Sequence, residues 1–223
     1  LVHILLDLNR AEEALPLIEE LAEKSEGQDK KQWRETLLYQ YLDLGLNRRA
    51  LAHARQLTAE DPLEPKWWKG LVHLHLLEDN HKQALVALTV YGHLAGLSVE
   101  EKKLMADLCM ALDIPVRSAA LLEDMLSRHM DSDVILKLSR ALIALHRPED
   151  ALTWIEKGLQ HDEKNQDLLK LKGDVLFMTA SYKEAQKVFT KLLESSAEKG
   201  NLWLMLGYAA WNPRDFSTAC RAM

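Results

Sequence analysis

Nine histidines, two cysteines and 34 aspartates and glutamates are the side chains of this chain that could carry chemistry. A helix chelates a metal through ligands at i and i+4, because only that spacing puts two side chains on one face. His73 and His75 are two apart and point in different directions. His75 sits among apolar residues and reads as a packing histidine with its hydrogen bonds satisfied. His81 falls in a predicted turn and His93 near a helix end, so both read as solvated. Cys109 and Cys220 match no C-x-x-C spacing, which predicts neither a zinc site nor a disulfide. Cys109 lies on a predicted core stripe and reads as a buried structural thiol. Runs such as Glu12-Glu13 and Glu19-Glu20 read as solvated helix faces rather than an acid–base pair. No Gly-rich phosphate loop, HExxH helix, calcium-loop spacing or nucleophile elbow occurs. The sequence thus predicts a protein that is not an enzyme, with no catalytic residue, no metal and no cofactor.

The elements that would position these residues are helices. Only 9 Gly and 6 Pro occur in 223 residues, and long stretches contain neither. The formal net charge of −6 comes without a basic stripe, which argues against nucleic acid as a partner. No apolar run approaches the roughly 18 residues of a membrane span, so no direct membrane insertion is predicted for this segment. The sequence opens at Leu1 without Met or a signal-like stretch, so the chain is expected to be a piece of a longer protein.

An internal repeat organises the whole chain. A small residue recurs at Ala14, Ala50, Ala84, Ser118, Ala151, Ala185 and Ala219, at intervals of 36, 34, 34, 33, 34 and 34. Four residues later comes Ile18, Ala54, Leu88, Leu122, Ile155, Phe189 or Met223, which marks the buried stripe of a second helix. Nine residues before the small position stands Leu5, Tyr41, His75, Cys109, Leu142, Leu176 or Ala210. Four further back stands Leu1, Leu37, Leu71, Met105, Leu138, Lys172 or Leu206. These two columns form the core stripe of a first helix. Between them runs a mostly small column, Val2, Leu38, Val72, Ala106, Ser139, Gly173 and Gly207, where helix backbones can approach closely. A bulky side chain at Gly207 is expected to cost about 1–3 kcal/mol through overpacking.

Turn residues fall between the two helices of each unit: Asn9, Gly45-Leu46-Asn47, Asp79-Asn80, Asp113-Ile114-Pro115, His146-Arg147-Pro148, Ala180-Ser181 and Asn212-Pro213. Between units lie Glu26–Asp29, Asp61–Pro65 and Ser195–Gly200. Pro16 is predicted to sit inside a second helix, where it removes a hydrogen bond. Five complete hairpins are expected from Asp29 to about Gly200, with partial units at both ends, as a single solenoid over residues 1–223. Its ends carry no polar caps, which leaves room for self-association.

Trp203-x-x-Leu206-Gly207-x-x-Ala210 followed by Ala219 resembles the tetratricopeptide signature, with Ala where Tyr is usual. Trp68-x-x-Leu71-Val72-x-x-His75 followed by Ala84 is similar, with Asp61-Pro62 at a unit end. The resemblance implies an all-α fold, a tetratricopeptide-type right-handed superhelical solenoid of antiparallel helix pairs, whose concave groove holds a protein or peptide. Lys172 and the missing Tyr depart from the pattern. First-helix positions that line the groove in that family fall here on Tyr39, Lys69, His73, Lys103, Asp107, Arg140, Lys170, Asp174, Tyr208 and Trp211. Tyr, Trp and Arg contribute disproportionately to interfaces. Trp33 and Trp67, one turn from the core stripes, read as partly core. The family's carboxylate clamp for chaperone tails is missing, because its positions hold Glu35/Tyr39, Lys69/His73 and Lys103/Asp107.

Residues 60–223 also resemble exported tetratricopeptide proteins of bacterial TonB–ExbB–ExbD systems, through Glu64-Pro65-Lys66-Trp67-Trp68, Ala95-Gly96-Leu97-Ser98, Pro115–Glu123 and Asn201-Leu202-Trp203. That resemblance implies a periplasmic adaptor in an envelope transport assembly. Two other readings stay open. One is the substrate-recruiting arm of a larger enzyme such as a glycosyltransferase. The other is an RNA-binding helical repeat, which the acidic charge and the 34-residue spacing disfavour.

Overall fold

A computed structural model describes residues 1–195 and 200–211. Asn212-Pro213, Ala219, Cys220 and Met223 lie outside the described residues, as does the middle of the Ser195–Gly200 connection. Helices form two compact units, Leu1–Ser98 and Val99–Met223, and no strand occurs among the described residues.

The first unit comprises α1 (Val2–Asp7), α2 (Ala11–Lys24), α3 (Gly27–Asp43), α4 (Asn47–Glu60), α5 (Pro65–Leu77) and α6 (His81–Ala95). The second comprises α7 (Val99–Ala111), α8 (Pro115–Leu126), α9 (Ser132–Ala144), α10 (Pro148–His161), α11 (Gln166–Met178), α12 (Tyr182–Ser195) and α13 (Gly200–Trp211). Inside each unit a helix packs chiefly on its successor, and α9 also touches α7 and α11.

The turn inside each helix pair has one geometry, used six times among the described residues. Asn9, Gly45, Asp79, Asp113, His146 and Ala180 have φ between 55° and 67°, and each lies five residues before the small position of its unit. The next backbone N–H donates 2.8–2.9 Å back to the carbonyl of Leu5, Tyr41, His75, Cys109, Leu142 or Leu176. The left-handed residue itself donates at 2.9–3.1 Å to Leu6, Leu42, Leu76, Met110, Ile143 or Phe177. This is the paired bond pattern of a helix C-terminus closed by a left-handed residue, and it satisfies carbonyls that helix ends otherwise leave bare. Asn and Asp tolerate the conformation, and Gly45 adopts it without strain. After two of these turns α8 and α10 begin with Pro at the first position, as α5 does after the connection from α4, where its missing N–H costs nothing. Pro16 lies inside α2, as the pattern predicts.

The small column is the centre of each described pair. Ala14, Ala50, Ala84, Ser118, Ala151 and Ala185 are all fully buried, and the second-helix column from Ile18 to Phe189 is at most 1% exposed. At Gly173 an added Cβ would stand 2.4 Å from Phe189 Cε1, so α11 and α12 touch where the side chain is missing. Gly158 makes a similar approach that the repeat columns do not flag, with Leu168 Cδ1 2.8 Å from the position of a Cβ.

Two assignments need correction. Leu1 is 78% exposed rather than core: it flanks the six-residue α1 as its N-cap and so contributes no packed turn. Lys172 holds a core-column position, yet its Nζ reaches Glu156 Oε1 at 2.9 Å. Its aliphatic stem covers the apolar surface while the charge stays at the rim.

Ala180 is the one member of the turn series with neither a polar side chain nor Gly's freedom. Ala180→Gly should raise stability by about 0.5–1 kcal/mol, relief of the left-handed strain outweighing the extra unfolded-state entropy. Urea unfolding measures it. An unchanged or lowered midpoint would mean the turn is not strained.

Candidate protein-binding faces

In the first unit, α3 and α5 bring Tyr39, Lys69 and His73 around one surface pocket of about 380 Å³. Leu38, Leu42 and Trp67 form its apolar floor. Gly70 lets α5 pack closely on Leu38, since a Cβ there would sit 3.0 Å from Leu38 Cδ2. Lys66 Nζ bridges α5 to α3 through Glu35 at 2.8 and 2.7 Å. That hydrogen bond raises the Lys66 pKa, but the pair is solvated, so it orders the rim more than it stabilises the fold. The Lys69 ammonium lies 5.5 Å from the centroid of the Tyr91 ring. The pocket thus offers an apolar floor that includes Trp67, with cations, the carboxylates of Glu35 and Asp43 and a phenol around it.

In the second unit the groove candidates separate by role. Lys103 is largely enclosed and its Nζ grips Asp131 at 2.9 Å and Asp133 at 3.2 Å, with the Asp131 hydrogen bond raising its pKa. Asp107 accepts from Lys137 Nζ at 2.7 and 2.8 Å. Both pairs join α7 to α9, so these two residues spend their charge inside the protein. Arg140 and Lys170 are exposed, outside either pocket. Asp174 and Tyr208 meet at a second pocket of about 400 Å³, lined by Phe177, Met178, Phe189, Leu204 and Met205. Burial raises the Asp174 pKa above the usual carboxylate value, against the pull of Lys170. Trp211 is exposed near the end of α13 but does not line this pocket.

The apolar lining at Met178 and Leu204 escaped the sequence reading. One helical turn beyond Asp174 is Met178, and one turn before Tyr208 is Leu204, so extending the groove column by four residues would have found both. Trp33 is half-buried, 5.9 Å from the His3 ring centroid, whereas Trp67 is fully core at 2% exposed. Cys109 is buried, and burial pushes its thiol pKa up, the opposite of what a reactive thiolate needs. Among the described residues no group of three His, Cys, Asp or Glu side chains is placed to hold a metal. No helix among them is long and apolar enough to cross a membrane.

No protein-family model matches the sequence, and a search of curated proteins finds no relative. Solved structures do match. A tetratricopeptide repeat protein from Parabacteroides merdae has a TM-score of 0.60 at 11% identity, over 99% of this chain and 87% of its own. PilW, a type IV pilus biogenesis factor, matches with TM-score 0.60 at 14% identity, covering 88% and 91%. YrrB, a tetratricopeptide protein with an unusual peptide-binding site, matches with TM-score 0.58 at 14% identity, covering 76% and 88%. At such identities the likeness shows the fold: this is an all-α, tetratricopeptide-type solenoid of antiparallel helix pairs.

His75 occupies the predicted core position, but its Nδ1 has no hydrogen-bond partner and stands 3.9 Å from Glu78 Oε2. Burial, then the nearby Arg55, lowers its pKa from the ordinary 6.5. Burial lowers that of His53 as well. Both resist protonation in the folded chain, whereas the unfolded chain takes up the proton near 6.5. Their neutral burial therefore leaves stability intact above that pH and erodes it as the pH falls through and below it. The urea midpoint should fall between about pH 8 and about pH 5.5, and fall less in His75→Phe. Identical pH profiles for both proteins would remove His75 from this account.

Proposed function

We propose that this chain is a non-enzymatic scaffold that holds a protein or peptide segment on the faces of its first helices. The observation that carries the reading is where large aromatic side chains stay in water. Tyr39, Tyr208 and Trp211 are more than half exposed, all on first helices, and two of them edge pockets with apolar floors. Exposed apolar surface at a pocket marks a binding site more often than bare surface does, and aromatic anchors in pockets dominate binding energy. YrrB, similar in fold, is described by its peptide-binding site, which supports a polypeptide ligand here. We read the chain as one continuous repeat array, because the spacing from Ala84 to Ser118 crosses the unit boundary at an unbroken 34.

A finer reading gives the scaffold a place in a bacterial envelope assembly. Support comes from the resemblance of motifs in residues 60–223 to those of TonB-associated proteins, and from the similarity in fold to a pilus biogenesis factor.

Charge reversal of Arg140 and Lys170 together tests the face assignment, since both are exposed and neither is needed by the core. Capture of partners from a native lysate should drop several-fold, with unchanged helicity by circular dichroism. Recovery of the same partners in the same amounts would overturn the assignment.

A further inference from the structure

The pocket between α11 and α13 differs from the one in the first unit by being almost wholly apolar. Phe177, Phe189 and Met205 close its floor, while Met178 and Leu204 remain more than half in water at its mouth. Methionine at a mouth adapts to varied shapes, and sulfur packs well against aromatic edges. One charged group faces this surface. Asp174 is half-buried beside the apolar lining and has no ion pair or hydrogen bond among the described residues. Burial costs this carboxylate more hydration than the attraction of nearby Lys170 returns. A cation delivered by a ligand would supply the missing pair.

We propose that this pocket is a specificity subsite for a peptide segment in which a large aliphatic or aromatic side chain stands close to a Lys or Arg. The apolar side chain fills the space between Met178 and Leu204, and the cation pairs with Asp174. The raised Asp174 pKa is consistent with a carboxyl that lacks a partner until such a ligand arrives. This inference rests on the peptide-binding reading above and adds to it the chemistry of the partner.

A random dodecapeptide phage library selected on the full chain tests it. Enriched peptides should pair an apolar residue with Lys or Arg within about four positions, the reach of one helical turn. Met178→Glu and Leu204→Glu, both exposed sites, should each weaken those peptides at least tenfold by fluorescence polarisation, with circular dichroism unchanged. Asp174→Asn should retain binding of the apolar residue but lose most of the preference for Lys or Arg over Gln. If peptides are enriched and bind the three variants as they bind the parent, this subsite is wrong while groove binding stands. If no peptide is enriched, both readings fall.

Discussion

Two helices can nest only where one of them offers almost no side chain, and in this protein that contact recurs once per hairpin. Ala14, Ala50, Ala84, Ser118, Ala151 and Ala185 have no exposed surface, and Gly173 touches Phe189 where even a methyl group would not fit. The six left-handed turns hold the same register. Each places its hydrogen bond on the residue nine positions before the small one, so the turn fixes which face of the first helix meets the second. Packing and turn chemistry therefore specify the same pairing, the agreement between local and tertiary preferences that gives one native arrangement.

That pairing also decides what is left for water. Once two stripes of a first helix are buried, its remaining face carries the residues displaced from them. Charges that meet across neighbouring first helices, such as Lys103 with Asp131 and Lys137 with Asp107, are paired within the protein. Those without such neighbours, Arg140 and Lys170, stay exposed. The pocket ringed by charges in the first unit and the apolar one in the second have similar volumes but different chemistry. A single binding rule for the whole chain would miss this difference.

The fold was legible because its period is written in side-chain size, and size is a property of the sequence itself. Ala151 and Ile155 reveal a buried stripe without any knowledge of what covers it. The site was less so. Asp107 and Lys103 look like ligand-binding charges until their partners on α9, about 30 residues away, are placed beside them. Met178 and Leu204 look like ordinary apolar helix residues, and only the gap between α11 and α13 brings them to the mouth of one pocket. Exposure of Leu1 and the unpartnered Nδ1 of His75 depend on what a neighbouring turn supplies, which no column of spacings records.

The close contact at the small column is tested most directly by urea unfolding of Ala151→Leu beside Ala120→Leu, the same change at a buried and an exposed position. The account predicts a loss of about 1–3 kcal/mol at Ala151 and a change within about 0.5 kcal/mol at Ala120. Equal small effects at both sites would contradict it, because the paired helices would then have room they are said to lack.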